Sequence, residues 1–597
     1  MSSPTDTQSP SPTPWCGGLA IVALALGLRV WHLVELRDDP FFQEPILDAR
    51  YYLDFADRII QGHVSGAEVY RGPPLQGYFV AALRFTFGGS PWVVPLAQAL
   101  LSALTAGLAV RIGTRLAGRK AGMIAGLLVA TCWTLVLYAA VVVPATLALF
   151  LATLALASSL DVEVRNPRWR PLLATGVLVA LGGLARERTF LFGLLLAGWW
   201  LWHGRKRLRI VVGMGAPLLL ALALTTLNNT LASGDFLLYT ANGGVNFYIG
   251  NGPDANGRFH PPSGFSQSRE GMYDDARELA CEEERRILTP SEVESYWYRR
   301  TFRHVATHPL EALRSLALKV SHFTGARESW DVIYGDGVRE SSFLLSLPLP
   351  GYALIGILGW AGLTLARRRP RFDRVAILLL SQLLFVLVFF AGSRFRLGAI
   401  PPLAITAGLL LSEAWERRHD ARRPVRLLAL VAFSVLFVLA PFPGREKDAS
   451  AGTTWHANLA LAALLRGDPA AAGQHAREAL RLDPDNVSAR VYMGRLLLDA
   501  GALEEAEPHL RRAIELAPRD TRALLTLGVL LVDRGARDAA DELFRRVLEH
   551  DPENAKAHFE RARYLLERGD REGALRHASH LQGNARYRER LQALGLD

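Results

Sequence analysis

Eleven long apolar runs constrain this chain more than any other feature. They lie at about 16–36, 91–111, 121–139, 145–160, 171–186, 189–203, 210–231, 343–366, 375–392, 398–415 and 427–443. A hydrocarbon core of ~30 Å takes about 20 residues of helix. Inside lipid every backbone N–H and C=O must find its partner within the chain, so runs of this length fold as helices. Of 597 residues 50% are hydrophobic, which places the chain in the membrane class rather than among soluble domains. The expected fold is all-α: a polytopic helical bundle of about eleven spans.

Charge between the runs sets orientation. Basic clusters fall at Arg111, Arg115, Arg119 and Lys120; at Arg165, Arg168 and Arg170; at Arg205, Lys206, Arg207 and Arg209; at Arg367, Arg368, Arg369, Arg371 and Arg374; and at Arg417, Arg418, Arg422, Arg423 and Arg426. Every second connection is therefore basic, the signature of the cytoplasmic side. Counting back puts the N-terminus inside. It puts loops 37–90 and 232–342, and everything after residue 443, outside. The stretch LQGYFVAALRFTFGG, Leu75 to Gly89, is short and carries Arg84. Were it a span, every later basic loop would face outward, so it reads as a juxtamembrane helix on the outer surface.

The net charge of +10 fits loop arginines facing cytoplasm and anionic lipid. No soluble basic face is concentrated enough for nucleic acid. Cys16, Cys132 and Cys281 have neither zinc-site spacing nor the pattern of a disulfide framework. Residues 1–15 are rich in Ser, Pro and Thr and are expected to be a disordered tail. The apolar run after them is too long for a signal-peptide core, and is read as a retained anchor.

Beyond Pro443 the pattern changes. Pro484, Pro518 and Pro552 recur every 34 residues, as do Gly467, Gly501, Gly535 and Gly569, and Ala472, Ala506, Ala540 and Ala574. This is the tetratricopeptide period, with small residues where paired helices cross. Four repeats start at about 453, the last lacking its proline, where Arg586 stands. Stacked repeats make an α-solenoid with a concave face, the usual seat of a protein partner. The domain reading is thus 1–15 tail, 16–443 membrane domain and 444–597 repeats.

Chemistry concentrates in the outer loops. The first contains PILDARYY, where Asp48 precedes Tyr51 and Tyr52, and then Arg71. A carboxylate held at a membrane surface beside aromatic rings can take a proton from a hydroxyl. The second loop carries NGGVNFYIGN and His260; its Asn246, Tyr248, Asn251 and His260 offer polar contacts among glycine turns. The tract 271–319 has a charged, helical pattern and reads as a solvated packing element. Arg186, in the turn GGLARERT, and Arg394 and Arg396, in SRFR, stand with Arg71 at the expected outer membrane edge. Charge costs ~2.5–3.5 kcal/mol at mid-membrane on insertion scales, so such arginines are functional candidates. Guanidinium also grips phosphate oxygens in two-pronged fashion.

Three of these pieces together resemble the GT-C class of membrane glycosyltransferases, in the branch of the protein mannosyltransferases and the aminoarabinose transferase of lipid A. They are PILDARYYLDFADRIIQG with YRGPPLQGYFVAALRFTFG, NGGVNFYIGN, and SRFRLGAIPPL. The resemblance implies a polyprenyl-phosphate-linked sugar as donor and an outer-face acceptor, whether glycan, lipid or protein. It also implies inversion at the anomeric carbon and Asp48 as general base. Relatives often carry an Asp-Glu pair where this chain has Asp48-Ala49. No Asp-x-Asp occurs in the loop, so neither a metal nor another cofactor is implied. The resemblance suggests a bacterial inner membrane, with the repeats periplasmic. A lipid-linked polysaccharide ligase or polymerase is the second reading. A membrane-anchored repeat scaffold and a transporter are the non-enzymatic rivals. The scaffold needs neither the polar loop nor so many spans, and a transporter would be expected to show repeated halves.

Overall fold

The computed structural model describes residues 16–66, 68–262, 265, 269–330, 334–367, 369–416, 423–439, 449–552, 554–581 and 585–596. The expected disordered tail, the basic residues Arg417, Arg418 and Arg422 and the boundary at Pro443 lie outside them. Among the described residues all regular secondary structure is helical, apart from one isolated bridge between Arg258 and Ala391. The chain divides into two compact units. The first comprises Met1–Gln43, Asp48–Phe259 and Phe302–Lys447; the second comprises Glu44–Leu47, His260–Thr301 and Asp448–Asp597.

In the first unit each of the eleven apolar runs overlaps helix in its described residues, the run 343–366 being broken at 347–351. Among the described residues four helices are long and apolar enough to cross a membrane: Gly17–Asp38, Val93–Ala117, Arg207–Ser233 and Ser393–Glu416. The pair Arg119–Thr131 and Trp133–Ala140, bent by 50°, makes a fifth if it is one span. Ala145–Ser159, Trp169–Ala185, Tyr352–Ala366 and Leu428–Leu439 are apolar but shorter. Length and composition therefore support four or five crossings outright, against the eleven expected. Pro74–Phe87 is a separate helix of 14 residues, ~21 Å long and too short for the hydrocarbon core.

Two features show how these helices pack without an aqueous driving force. Gly362 lies so close to Thr406 that a Cβ would stand 2.0 Å from its carbonyl oxygen, and Gly408 is set equally tightly against Ala121, at 2.2 Å. Small residues at crossings let backbones touch, the usual device of helices in lipid. Buried Arg29, in the first helix, donates to Ala130 O at 2.7 Å, Ala25 O at 2.9 Å and Ser102 Oγ at 2.8 Å. Its charge is spent on the carbonyls that the 50° bend leaves without helical partners.

The second unit is a stack of helix pairs: Ala449–Leu465 with Pro469–Leu482, Val487–Asp499 with Leu503–Leu516, Thr521–Asp533 with Arg537–His550, and Ala555–Glu567 with Arg571–Ser579. Gly467, Gly501, Gly535 and Gly569 all have φ between 72° and 81°, a left-handed turn that glycine enters without penalty. Ala472, Ala506, Ala540 and Ala574 are fully buried where the paired helices cross. Asp468, Asn486, Asp520, Asn554 and Asp570 each cap a following helix. The helix Arg269–Glu284 belongs to this unit too. Its Glu278 meets His550 at 2.5 Å, and its Glu282 pairs with Arg519. The tract 271–319 is thus not one solvated element, since its first helix is docked on the repeats.

Candidate active site

Asp48 lies in the first turn of the helix Leu47–Ile60. The helix is entered through Leu47 at φ 54°, a left-handed conformation that a side chain of this size rarely adopts. Strain of this kind is retained where the surroundings over-determine it, often at functional sites. Asp48 Oδ2 accepts a hydrogen bond from Arg394 Nη1 at 2.5 Å, with 18% and 14% of the two side chains exposed.

Arg394 comes from the short helix Ser393–Arg396, between the apolar helices Phe372–Val388 and Ile400–Glu416. Its guanidinium lies 5.0 Å from the centre of the Phe395 ring, and that of Arg186 lies at the same distance. Arg186 is buried where the helix Trp169–Ala185 ends, and its electrostatic neighbours are Arg394, Glu187, Tyr52 and Asp48. Arg188, also buried, donates to Phe395 O at 2.9 Å and to Arg394 O at 3.4 Å. Two guanidiniums thus lie against one phenyl ring and a third on its backbone, with the carboxylates Asp48 and Glu187 nearby. A cluster with excess positive charge suits an anion.

An aromatic wall adjoins this cluster. Tyr52 is buried 5.1 Å from Tyr51, ring to ring, and Tyr51 lies 6.2 Å from Phe55. Tyr70 and Tyr78 share a hydrogen bond of 2.9 Å, and Tyr78 donates to Val64 O at 2.6 Å. Burial, and then the bond to Tyr78, pushes the Tyr70 phenol up. Tyr239, an electrostatic neighbour of Tyr52 and Glu187, donates to Gly183 O at 2.7 Å.

The remaining candidates are placed differently. Arg71 is exposed, and its backbone is stitched to the 232–342 loop: Asn242 Nδ2 donates to Arg71 O at 2.5 Å and Ala241 N to Tyr70 O at 2.9 Å. Asn246 and Tyr248 are half-buried on the helix Gly243–Asn251. Asn251 is committed within the fold: Nδ2 donates to Val388 O at 2.8 Å and to Phe247 O at 2.9 Å, while Oδ1 accepts from Lys319 at 2.7 Å. Arg396 is likewise committed, donating to Gly325 O at 2.7 Å and His322 O at 3.1 Å and pairing with Glu328. It also lies over Tyr352 at 4.3 Å. His260 is exposed in the second unit.

The structure therefore brings together Asp48, Tyr52, Arg186 and Arg394, with Tyr51 alongside. It adds residues to which sequence reasoning gave no part: Glu187, Tyr239 and Lys319, and Arg188 as a clamp on the 394–395 backbone. The signal for Arg188 and Glu187 was present, as charges inside an apolar turn; Lys319 had none, since its surroundings in sequence are amphipathic. Among the described residues no group of three or more His, Cys, Asp or Glu side chains is placed to hold a metal ion.

Comparison with known proteins adds the following. Residues 71–228 match the family described as dolichyl-phosphate-mannose-protein mannosyltransferase, which is of GT-C type. The matched segment includes Arg71 and Arg186 and stops short of Asp48 and Arg394. Residues 463–530 and 525–587 match tetratricopeptide repeat families. None of the curated proteins matches the chain. Among solved structures, MamA from Desulfovibrio magneticus RS-1 is 22% identical, covering 29% of this chain and 89% of its own, with a TM-score of 0.20. A second MamA structure is 17% identical over 29% of this chain and 96% of its own, with a TM-score of 0.21.

Proposed function

Taking as premise a membrane chain of GT-C glycosyltransferase type that ends in tetratricopeptide repeats, we propose that it moves one sugar from a polyprenyl-phosphate donor to an acceptor hydroxyl. The reaction runs at the outer face of a bacterial cytoplasmic membrane, with inversion at the anomeric carbon. Residues 16–443 carry the chemistry, and residues 444–597 present or recruit a protein. The donor class follows the matched family, whose name specifies a dolichyl-phosphate sugar.

The observation that carries this reading is the Asp48–Arg394 pair beside Arg186. Arg394 is shared between two anions. With no substrate bound it holds Asp48; when the donor enters, its guanidinium and that of Arg186 turn to the phosphate. Asp48 is then released to accept the acceptor's proton. The acceptor oxygen bonds to the anomeric carbon, the bond from that carbon to the phosphate oxygen breaks, and the proton passes to Asp48. Polyprenyl phosphate leaves with one more negative charge, which the two guanidiniums neutralise. Tyr51 and Tyr52 offer ring faces to the sugar. Arg71, Asn246 and Tyr248 are assigned to the acceptor side, and Asn251 and Arg396 to holding the walls.

Mass spectrometry of surface glycans and glycoproteins tests this in cells carrying the wild type, Asp48→Asn or no copy. A positioned base contributes ~100- to 10,000-fold, so the variant should match the null strain while inserting at normal levels. Wild-type glycan in the Asp48→Asn strain refutes the assignment.

A further inference from the structure

The helix Pro309–Thr324 is turned inside out by the standards of a water-soluble protein. Apart from Phe323, its buried residues are polar. Ser315 Oγ donates to Gly250 O at 3.1 Å, and Lys319 Nζ donates to Asn251 Oδ1 at 2.7 Å and Leu387 O at 2.9 Å. Lys319 has no exposed surface. Its outer face is apolar: Leu310 is 79% exposed, Leu313 61% and Leu316 37%, with Ala317 exposed between them. At 100° per residue these four side chains fall on one stripe. Phe302, in the last two turns of the preceding helix, is likewise 60% exposed and lies 5.3 Å from Phe247.

We propose that this stripe is an interfacial membrane-docking surface, with Phe302, Leu310, Leu313 and Leu316 seated in the acyl chains of the leaflet at which the helix Phe372–Val388 ends. Two further observations select lipid as the occupant. First, the helix that bears the stripe is fastened to the end of an apolar helix of the bundle. Lys319 and Asn251 bind the carbonyls of Leu387 and Val388, which places Pro309–Thr324 at the depth where that apolar helix terminates, and Val388 is itself exposed. Second, Arg303 and Arg314 are exposed at the margins of the stripe. Long cationic side chains there reach lipid phosphates while their stems follow the apolar surface. The inward hydrogen bonds of Ser315 and Lys319 prevent the helix from rolling over to hide its leucines. The proposal is independent of the reaction assigned above.

Electron paramagnetic resonance on the full chain in phosphatidylethanolamine–phosphatidylglycerol bilayers tests it. Nitroxide labels are attached at Leu310→Cys, Leu313→Cys and Glu311→Cys, in a background where Cys16, Cys132 and Cys281 are alanine. Oxygen concentrates in acyl chains and a nickel chelate stays in water. Labels at 310 and 313 should collide with oxygen several-fold more often than with the chelate, and the label at 311 should show the reverse. Two results overturn the proposal: dominant chelate collision at 313, which means water covers the stripe, or protection from both reagents, which means protein covers it. Since all three labels sit on surface positions, none removes a buried contact.

Discussion

The backbone contact of Gly250, in the 232–342 loop, makes a sharp test of how the site is held. A Cβ on Gly250 would stand 1.8 Å from Phe389 O, 2.6 Å from its carbonyl carbon and 3.3 Å from its Cα. Real Cβ atoms essentially never come within 3.0 Å of such a neighbour, so Gly250→Ala must drive the two backbones apart by about 1.2 Å. Both are already pinned nearby. Gly250 O accepts from Ser315, Asn251 bonds to Val388 O, and Lys319 spans Asn251 and Leu387 O. Overpacking costs ~1–3 kcal/mol, and each hydrogen bond lost adds about 0.5–1.5 kcal/mol, so the variant should lose roughly 2–5 kcal/mol. Phe389 lies five residues before Arg394, so the displacement also travels toward the partner of Asp48. Thermal unfolding in nanodiscs should shift down by roughly 2–6 °C. The glycan product should fall with it. Gly198→Ala is the control: its Cβ would meet nothing within 4 Å, so the midpoint should stay or rise slightly. An unchanged midpoint and undiminished product in Gly250→Ala would refute the view that this contact positions the Arg394 turn.

Burial drives the Lys319 ammonium down to about 7. The folded state therefore bears the full cost of its charge below about pH 7 and is relieved of it as pH rises toward the unfolded value near 10.5. Stability of the wild type relative to Lys319→Met should climb across that window in denaturation midpoints, and a flat difference would count against the assignment. In the repeats, buried Asp520 caps the helix Thr521–Asp533 and pairs with Arg522 at 2.6 Å. Asp520→Ala should cost about 2–4 kcal/mol and speed amide hydrogen exchange across residues 487–533, with the membrane helices unaffected. Arg188→Lys keeps the charge but loses the planar fork that clamps the 394–395 carbonyls. It should lower glycan product ~10- to 100-fold without loss of folded protein, as measured by mass spectrometry beside a thermal midpoint.

Much of the architecture was legible because it is periodic. Apolar runs announce helices, and a 34-residue recurrence of Gly, Ala and Pro announces stacked pairs. How many of the runs are full crossings was less legible, because several are shorter than a bilayer is thick and one is bent where Arg29 supplies the missing partners. The site was legible by residue type but not by partnership. Asp48 and Arg394 are 346 positions apart, and no local pattern joins them. The helix Pro309–Thr324 misled for another reason. An amphipathic pattern says that two faces differ, not which of them is inside, and at a lipid boundary the usual answer inverts.

The fate of Arg394 and Arg396 shows where the missing information resides. In sequence they are equivalent cations flanking one phenylalanine. In a helical turn, residues two apart point about 200° away from each other. Once Ser393–Arg396 forms a turn, only one arginine can face Asp48; the other must find an acid on the opposite side, and Glu328 is there with two carbonyls. Arg186 and Arg188 are separated by a break between helices, Arg186 being extended, and are put to different uses across Glu187, one beside the Phe395 ring and one on its backbone. In each case one cation stays near Asp48 while its neighbour locks the turn that carries a cation there. Removing a locking arginine should therefore impair the Asp48 cluster without altering its composition, which is why Arg188→Lys and Gly250→Ala are expected to converge on the same loss of product.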